Sequence, residues 1–438
     1  MKIKKTRKVI SLILTLVMTF GIFSVYALTA EARATTYYAY SIGVNHGTVH
    51  SGLTGNFVPN VEYAHTCYGM INGISSYFND KPTVSYMKGN NPAGVRRIAS
   101  RVVWLNGHAN HTTILFNHNN NGGSYDTGVY YGSDTSKYVG IQSTNMSGVD
   151  LISFVGCETA KEKTNLASYA YAKGATTAVG FTGKIVSRST DGQGWCRKFN
   201  DALALGHTVS SAITYATSFY PNANLPNYIK VYGSTNNRIA SSGNVASITA
   251  LNYIAGTKVI NVNATYKNIG NIHNESLKSY AANFSSILNN IRTYDSNFDI
   301  NDYKVSANMY SDDGNSGIVI FTYKIGDILT NKAYVATIEN GVVTDVICNN
   351  VVVKSNSANL SRNKSTASLE NSLLKLVADH KRQQSTAMAT SNENIIAEEA
   401  NYIYNYNEET LIYQRCVYTV VPSADNVIVD TIVEEILN

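Results

Sequence analysis

Short apolar runs alternate with helix-forming stretches from Thr36 to about Ser234. YYAYSIGV reads as a first strand ending before Asn45, and VEYAHTCYGMI, after a loop bearing Gly and Pro, reads as a helix. PTVSYM predicts a second strand, and NPAGVRRIAS a short helix opened by Pro92. RVVWL and LISFV are brief and continuously apolar, as strands covered on both faces are. TAKEKTNLASYAYAK predicts a helix closed by Gly174, and ATTAVGF a strand. WCRKFNDALAL and VSSAITYATSF predict helices, and NYIKVYG a last strand. This alternation predicts an α/β domain over 35–240, with a mainly parallel sheet sandwiched by helices. Such sheets carry their chemistry at the carboxyl ends of the strands.

The pattern changes past Arg238. Residues 241–258 are rich in Ser, Gly, Asn and Ala and read as a linker. In 259–438, a helix near Glu275–Ile291 and another near Thr366–Lys381 each precede several strand-like runs. Two small helix-plus-antiparallel-sheet units are therefore expected in this α+β region. QQSTAMATSNEN, after the second helix, reads as a mobile loop.

Residues 1–34 read as a signal peptide: Lys2, Lys4, Lys5, Arg7 and Lys8, then an apolar run, then small residues at Ala30, Ala32 and Ala34. The expected location is secreted, extracellular, with cell-surface association left open. The segment holds six basic residues and one acid, which accounts for the whole chain's net charge of +5. The remainder is neutral, so neither nucleic acid nor an anionic membrane is expected as a partner. No later run approaches ~18 continuous apolar residues, so no membrane association is expected after signal cleavage.

Five cysteines form no CxxC pair, and an odd number leaves at least one free thiol in an exported chain. Cys67 and Cys196 lie on predicted helices and read as core. Cys348 and Cys416 occupy comparable predicted strands, and their pairing stays open. Cys157 is different, because it follows Gly156 where the run LISFV gives out. His108 has the same setting, past RVVWL in Asn106-Gly107-His108-Ala109. In a parallel sheet two such ends lie on one edge, where an imidazole can take the proton of a thiol. A glycine there leaves room for a substrate backbone beside the sulfur.

VVWLNGHA and LISFVGCETA together resemble the two catalytic blocks of the clan CD cysteine peptidases, the caspase, legumain, gingipain and clostripain group, with CET most similar to the CHAT-type version. The resemblance covers roughly 36–240. It implies a caspase-like fold and a secreted cysteine endopeptidase acting on protein or peptide substrates. It makes Cys157 the nucleophile and His108 the general base and acid. The backbone N–H groups of Gly107 and Cys157 become the oxyanion hole. Many members read His-Gly where this chain reads Gly107-His108-Ala109, which puts the donating amide in question. Asn45 matches the position at which legumain-type members orient the histidine, and also fits ordinary turn chemistry.

Other readings remain open. His46 and His50, and His108 and His111 with His118 nearby, have zinc-like spacings, but neither pair carries the Glu of H-E-x-x-H. No metal and no cofactor are expected. The 31 tyrosines suit a catalytically inactive peptidase-like protein that binds a surface or matrix. The C-terminal module is expected either to inhibit the enzyme or to bind a surface. ATTAVGFTGKIVSRSTDG offers no acid before Asp191, so no preference for basic side chains follows.

Overall fold

Alternation of buried side chains along the central strands dictates a sheet covered on both faces. The computed structural model describes residues 37–47, 53–116, 118–120, 123–125, 127–240, 257–349, 366–384 and 394–437. The expected signal peptide, nearly all of the linker, most of QQSTAMATSNEN and His50 lie outside the described residues. The chain forms β1 (Tyr37–Gly43), α1 (Val58–Gly69), β2 (Ile74–Asn79), α2 (Val84–Lys88) and β3 (Val102–Asn106). An excursion follows: β4 (Thr113–Leu115), β5 (His118–Asn120), β6 (Gly123–Tyr125), β7 (Gly128–Tyr130) and β8 (Tyr138–Gly140). Then come β9 (Leu151–Val155), α3 (Leu166–Ala172), β10 (Thr177–Phe181), α4 (Thr190–Ala204), α5 (Val209–Phe219), α6 (Leu225–Tyr228) and β11 (Ile229–Gly233).

The main sheet has the order β2-β1-β3-β9-β10-β11, all neighbours parallel except the β10–β11 pair. Val102 and Trp104 face α1, α4 and α5, while Val103 and Leu105 face α3 and the β4–β7–β8 excursion. That two-residue period is the pleat itself.

Two expectations are corrected here. PTVSYM is no strand, because Thr83 caps Tyr86 N–H and starts α2. NPAGVRRIAS holds only a single 3-10 turn, Arg97–Ala99.

The C-terminal region departs further from expectation. It comprises β12 (Thr257–Thr265), β13 (Ile272–Ser276), α7 (Leu277–Tyr280), α8 (Ser285–Tyr294), β14 (Tyr303–Asn308), β15 (Gly317–Ile325), β16 (Ile328–Glu339) and β17 (Val342–Asn349). After it come α9 (Thr366–Gln384), β18 (Ile395–Asn405), β19 (Thr410–Val421) and β20 (Val427–Leu437). These strands form one nine-stranded sheet, not two units. The join is a short parallel pairing, Leu329↔Ile403 and Thr330↔Tyr404. Each half keeps its own helix: Ile287, Leu288 and Ile291 of α8 fill one core, Leu373 and Val377 of α9 another.

The two modules share a core. Ile318, Ile320, Ala333, Val335, Tyr418 and Ile428 belong to the same apolar cluster as Trp195, Ile213 and Cys157. Polar contacts reinforce the junction: Val231 N–H donates to Tyr310 O (2.7 Å) and Asn349 Nδ2 to Ser218 O (2.6 Å). The described residues contain no helix long and apolar enough to cross a membrane.

Candidate active site

Register brings the two predicted groups to one edge. Asn106 pairs with Val155 in adjacent parallel strands, so Gly107-His108 and Gly156-Cys157 leave the sheet side by side. Gly156 is needed by this neighbour rather than by a substrate. A Cβ there would sit 2.6 Å from Gly107 O and 2.7 Å from Ala109 Cβ. Asn106 fixes the strand end: its Nδ2 donates to Val155 O (2.7 Å) and Ser187 Oγ (3.1 Å). Asn60 Nδ2 in turn donates to Asn106 Oδ1 (3.0 Å) and Ser187 O (2.8 Å). This buried network ties α1, β3, β9 and the loop before α4 together.

His108 is 1% exposed, stacked on His46 (centroids 5.1 Å) and edge-on to Phe57 (5.0 Å). Its Nε2–H donates to Thr54 O at 2.6 Å, and Nδ1 faces the Asp430 carboxylate. The orienting group is thus the Thr54 carbonyl and not Asn45. Asn45 is exposed, and its side chain accepts from Gly47 N–H in a local turn.

Cys157 is 3% exposed, and its thiol donates to Ile185 O at 3.5 Å. Burial, and then the negative charge of Asp430, push the thiol pKa well above its ordinary value. Both causes favour the neutral thiol over the thiolate in this arrangement. Glu158, the next residue, takes a left-handed φ of 59°, an uncommon conformation that marks a sharp turn after the thiol. Its N–H donates to Gly183 O, and its carboxylate pairs with Lys161 (3.0 Å). Among the described residues the Cys157 N–H has no hydrogen-bond partner. The Gly107 N–H donates to Val155 O at 3.2 Å and is committed to the sheet edge. Of the two amides expected as oxyanion donors, that of Gly107 is thus engaged within the sheet edge and that of Cys157 is not.

β20 crosses this edge. Asp425 and Asn426 are both left-handed (φ 55° and 57°) and turn the chain into it. Ile428 N–H donates to Ala109 O at 2.9 Å, a strand-like bridge directly beside His108. Asp430, 3% exposed, lies 3.3 Å from His108 Nδ1 through Oδ1, and Oδ2 accepts from Arg188 Nη2 at 2.9 Å. Burial alone would raise the Asp430 pKa, but Arg188 and His108 prevail and hold it at about 2. Farther along, Thr190 donates to the Glu434 carboxylate through N–H (3.1 Å) and Oγ (2.8 Å). Asn110 Nδ2 donates to Asp425 O (2.8 Å), and the Tyr138 hydroxyl to the Asp425 carboxylate.

Sequence reasoning missed Thr54, Asn60, Asn106, Arg188 and Asp430. One signal existed, an acid inside the apolar run NVIVDTIV, where a half-buried strand would place apolar residues. All five cysteines are buried and none is in a disulfide. Cys348 lies in the core under α8 and Cys416 in the cluster holding Cys157, so they form no disulfide. No group of three His, Cys, Asp or Glu among the described residues is placed to hold a metal. No protein-family model matches the chain, and no curated protein matches it.

Proposed function

We propose that this chain is a secreted cysteine endopeptidase on a caspase-like scaffold, produced in a latent form that its C-terminal module holds closed. The observation that carries the reading is the adjacency of His108 and Cys157 at the ends of β3 and β9, with β20 laid across them. With β20 displaced, burial and the Asp430 charge no longer oppose thiol ionisation, and the Cys157 proton passes to His108 Nδ1. The sulfur then bonds to the substrate carbonyl carbon while the carbonyl π pair moves to oxygen, where the Cys157 N–H donates. Collapse of that intermediate breaks the C–N bond, and His108 returns its proton to the leaving amine. Water, deprotonated by His108, attacks the thioester; the C–S bond breaks, the acid leaves and the thiol is reprotonated.

A second reading has its own observation. A thiol this buried, under a module that shares its core, also suits an inactive scaffold that presents the C-terminal sheet to a surface. A peptidyl acyloxymethyl ketone separates the two, since it alkylates a cysteine activated by a neighbouring base. Labelling of Cys157 in Asp430→Ala, lost in Asp430→Ala/His108→Ala, supports the peptidase. Absence of labelling in every folded variant favours the inactive scaffold.

A further inference from the structure

We propose that the junction between the two modules carries a binding site for a small organic cation, a compact primary diamine, held between Glu339 and Asp345. None of the residues lining this site belongs to the His108–Cys157 edge, and the inference does not rest on the peptidase reading.

Strand register builds its floor. Asn261 pairs with Asp345, and Asp345 with Thr337, so the three side chains stand in one row across β12, β17 and β16. The opposite face of these strands packs under α8 through Val262, Val346 and Ala336. The row therefore faces α5, and the Thr337 and Thr214 hydroxyls meet there at 3.1 Å. Closure of helix on sheet is incomplete. A cavity of about 170 Å³ remains, lined by His207 and Tyr215 from the helix side and by the three-residue row and Glu339 from the sheet.

The charges in this cavity are one-sided. Glu339 accepts from Ser210 Oγ (3.1 Å), and Asp345 from Thr337 Oγ1 (2.9 Å) and Thr344 Oγ1 (2.7 Å). These are hydroxyl contacts, and among the described residues neither carboxylate is in an ion pair. Two half-buried carboxylates on one cavity repel each other, and a cation between them removes that cost.

His207 supplies an independent sign of a ligand. It is 5% exposed, its ring stacks on Tyr215 (centroids 6.0 Å), and its buried Nε2 has no hydrogen-bond partner. Burial, and then the Arg238 charge, lower its pKa, so the imidazole is neutral and offers one acceptor nitrogen. Arg238 itself donates to Gly206 O. Two carboxylates, an imidazole acceptor and a tyrosine ring suit alkylammonium groups, whose N–H bonds find acceptors and whose charge finds a π face.

A bare metal ion suits the site less well. No group of three His, Cys, Asp or Glu among the described residues is placed to hold one, so these donors engage a ligand at separate atoms. Size agrees, since a cavity of about 150 Å³ holds benzene, and 1,4-diaminobutane has as many heavy atoms. His207 and α5 come from the N-terminal module and the strands from the C-terminal one, so a diamine held here stabilises their docking.

The test is calorimetric titration and thermal unfolding of the full chain in about 150 mM salt. 1,4-Diaminobutane is expected to bind one-to-one with a Kd on the order of 10–100 μM. At about 100 times that Kd it should raise the melting temperature by about 2 °C or more. 1,4-Butanediol, similar in shape but uncharged, should not bind. Glu339→Gln and Asp345→Asn keep the oxygens that face Ser210 and Thr337 and remove the charges, and each should weaken diamine binding about tenfold or more. Absence of heat and of a melting shift with the diamine overturns the proposal, as does equal binding of the diol, and neither result depends on a variant folding. Diamine binding that both variants retain overturns it too. Displacement of the diamine by magnesium or calcium chloride at similar concentration overturns the assignment to an organic cation.

Discussion

The Asp430 carboxylate lies between two groups of the N-terminal module, 3.3 Å from His108 Nδ1 and 2.9 Å from Arg188 Nη2. The proposed general base and a buried cation are thereby tied to β20 by one side chain. Removing it leaves the guanidinium uncompensated, which in buried pairs costs about 3–5 kcal/mol. Asp430→Ala is therefore expected to lower the melting temperature and raise Cys157 alkylation by iodoacetamide more than about tenfold, because that energy favours opening. Mass spectrometry of the labelled chain reads the second effect.

Closure should weaken towards both ends of the pH range. Asp430 is depressed to about 2, so its contribution is fully present above about pH 4 and is lost as pH falls through about 2. Asp191 behaves in the opposite sense: burial first, then Glu434 and Glu408, raise its pKa to about 7. If undocking returns it to the ordinary carboxylate range near 4, the docked form binds the extra proton, and closure weakens as pH rises from about 4 to 7. Cys157 labelling, normalised to a free thiol at each pH, should therefore be slowest near pH 4–5. Asp191→Asn should flatten the arm between pH 4 and 7. A pH-independent ratio would contradict this.

Gly156→Ala places a methyl against Gly107 O and Ala109 Cβ at 2.6 and 2.7 Å. Neither the carbonyl nor the turn can yield without moving His108. The expected loss is about 2–3 kcal/mol by urea denaturation, typical of forced overpacking. Gly148→Ala, with nothing within 4 Å of the added Cβ, is the control and should be near neutral.

Asn106→Ala strips Val155 O and Ser187 Oγ of a donor and Asn60 Nδ2 of an acceptor, all in a buried setting. The expected cost is about 2–3 kcal/mol in urea denaturation. In the Asp430→Ala background it should also lower peptide hydrolysis, since the His108 turn depends on it.

The strand ends bearing His108 and Cys157 were legible because β3 and β9 are buried on both faces, which produces continuous apolar runs. β2 was not legible for the converse reason. ISSYFN buries fully only Ile74, so the edge strand carries no apolar run, while the more apolar PTVSYM is turned into a helix by the Thr83 cap. The union of the C-terminal strands was hidden too, because it rests on the two-residue pairing of β16 with β18, which no local pattern encodes. Arg188 had no signature in VSRSTDG. Its pairing depends on Asp430, more than 200 residues away, and on Gly55, which makes room for it.

The central claim is that His108 and Cys157 form a peptidase centre that β20 holds shut. Casein digestion by four purified full-length chains tests it most directly: wild type, Asp430→Ala, Asp430→Ala/Cys157→Ala and Asp430→Ala/His108→Ala. The account predicts little digestion by wild type, clear digestion by Asp430→Ala, and loss of that activity in both double variants while they remain folded. Folded Asp430→Ala that exposes Cys157 to iodoacetamide yet leaves casein intact would contradict it, as would digestion that survives Cys157→Ala.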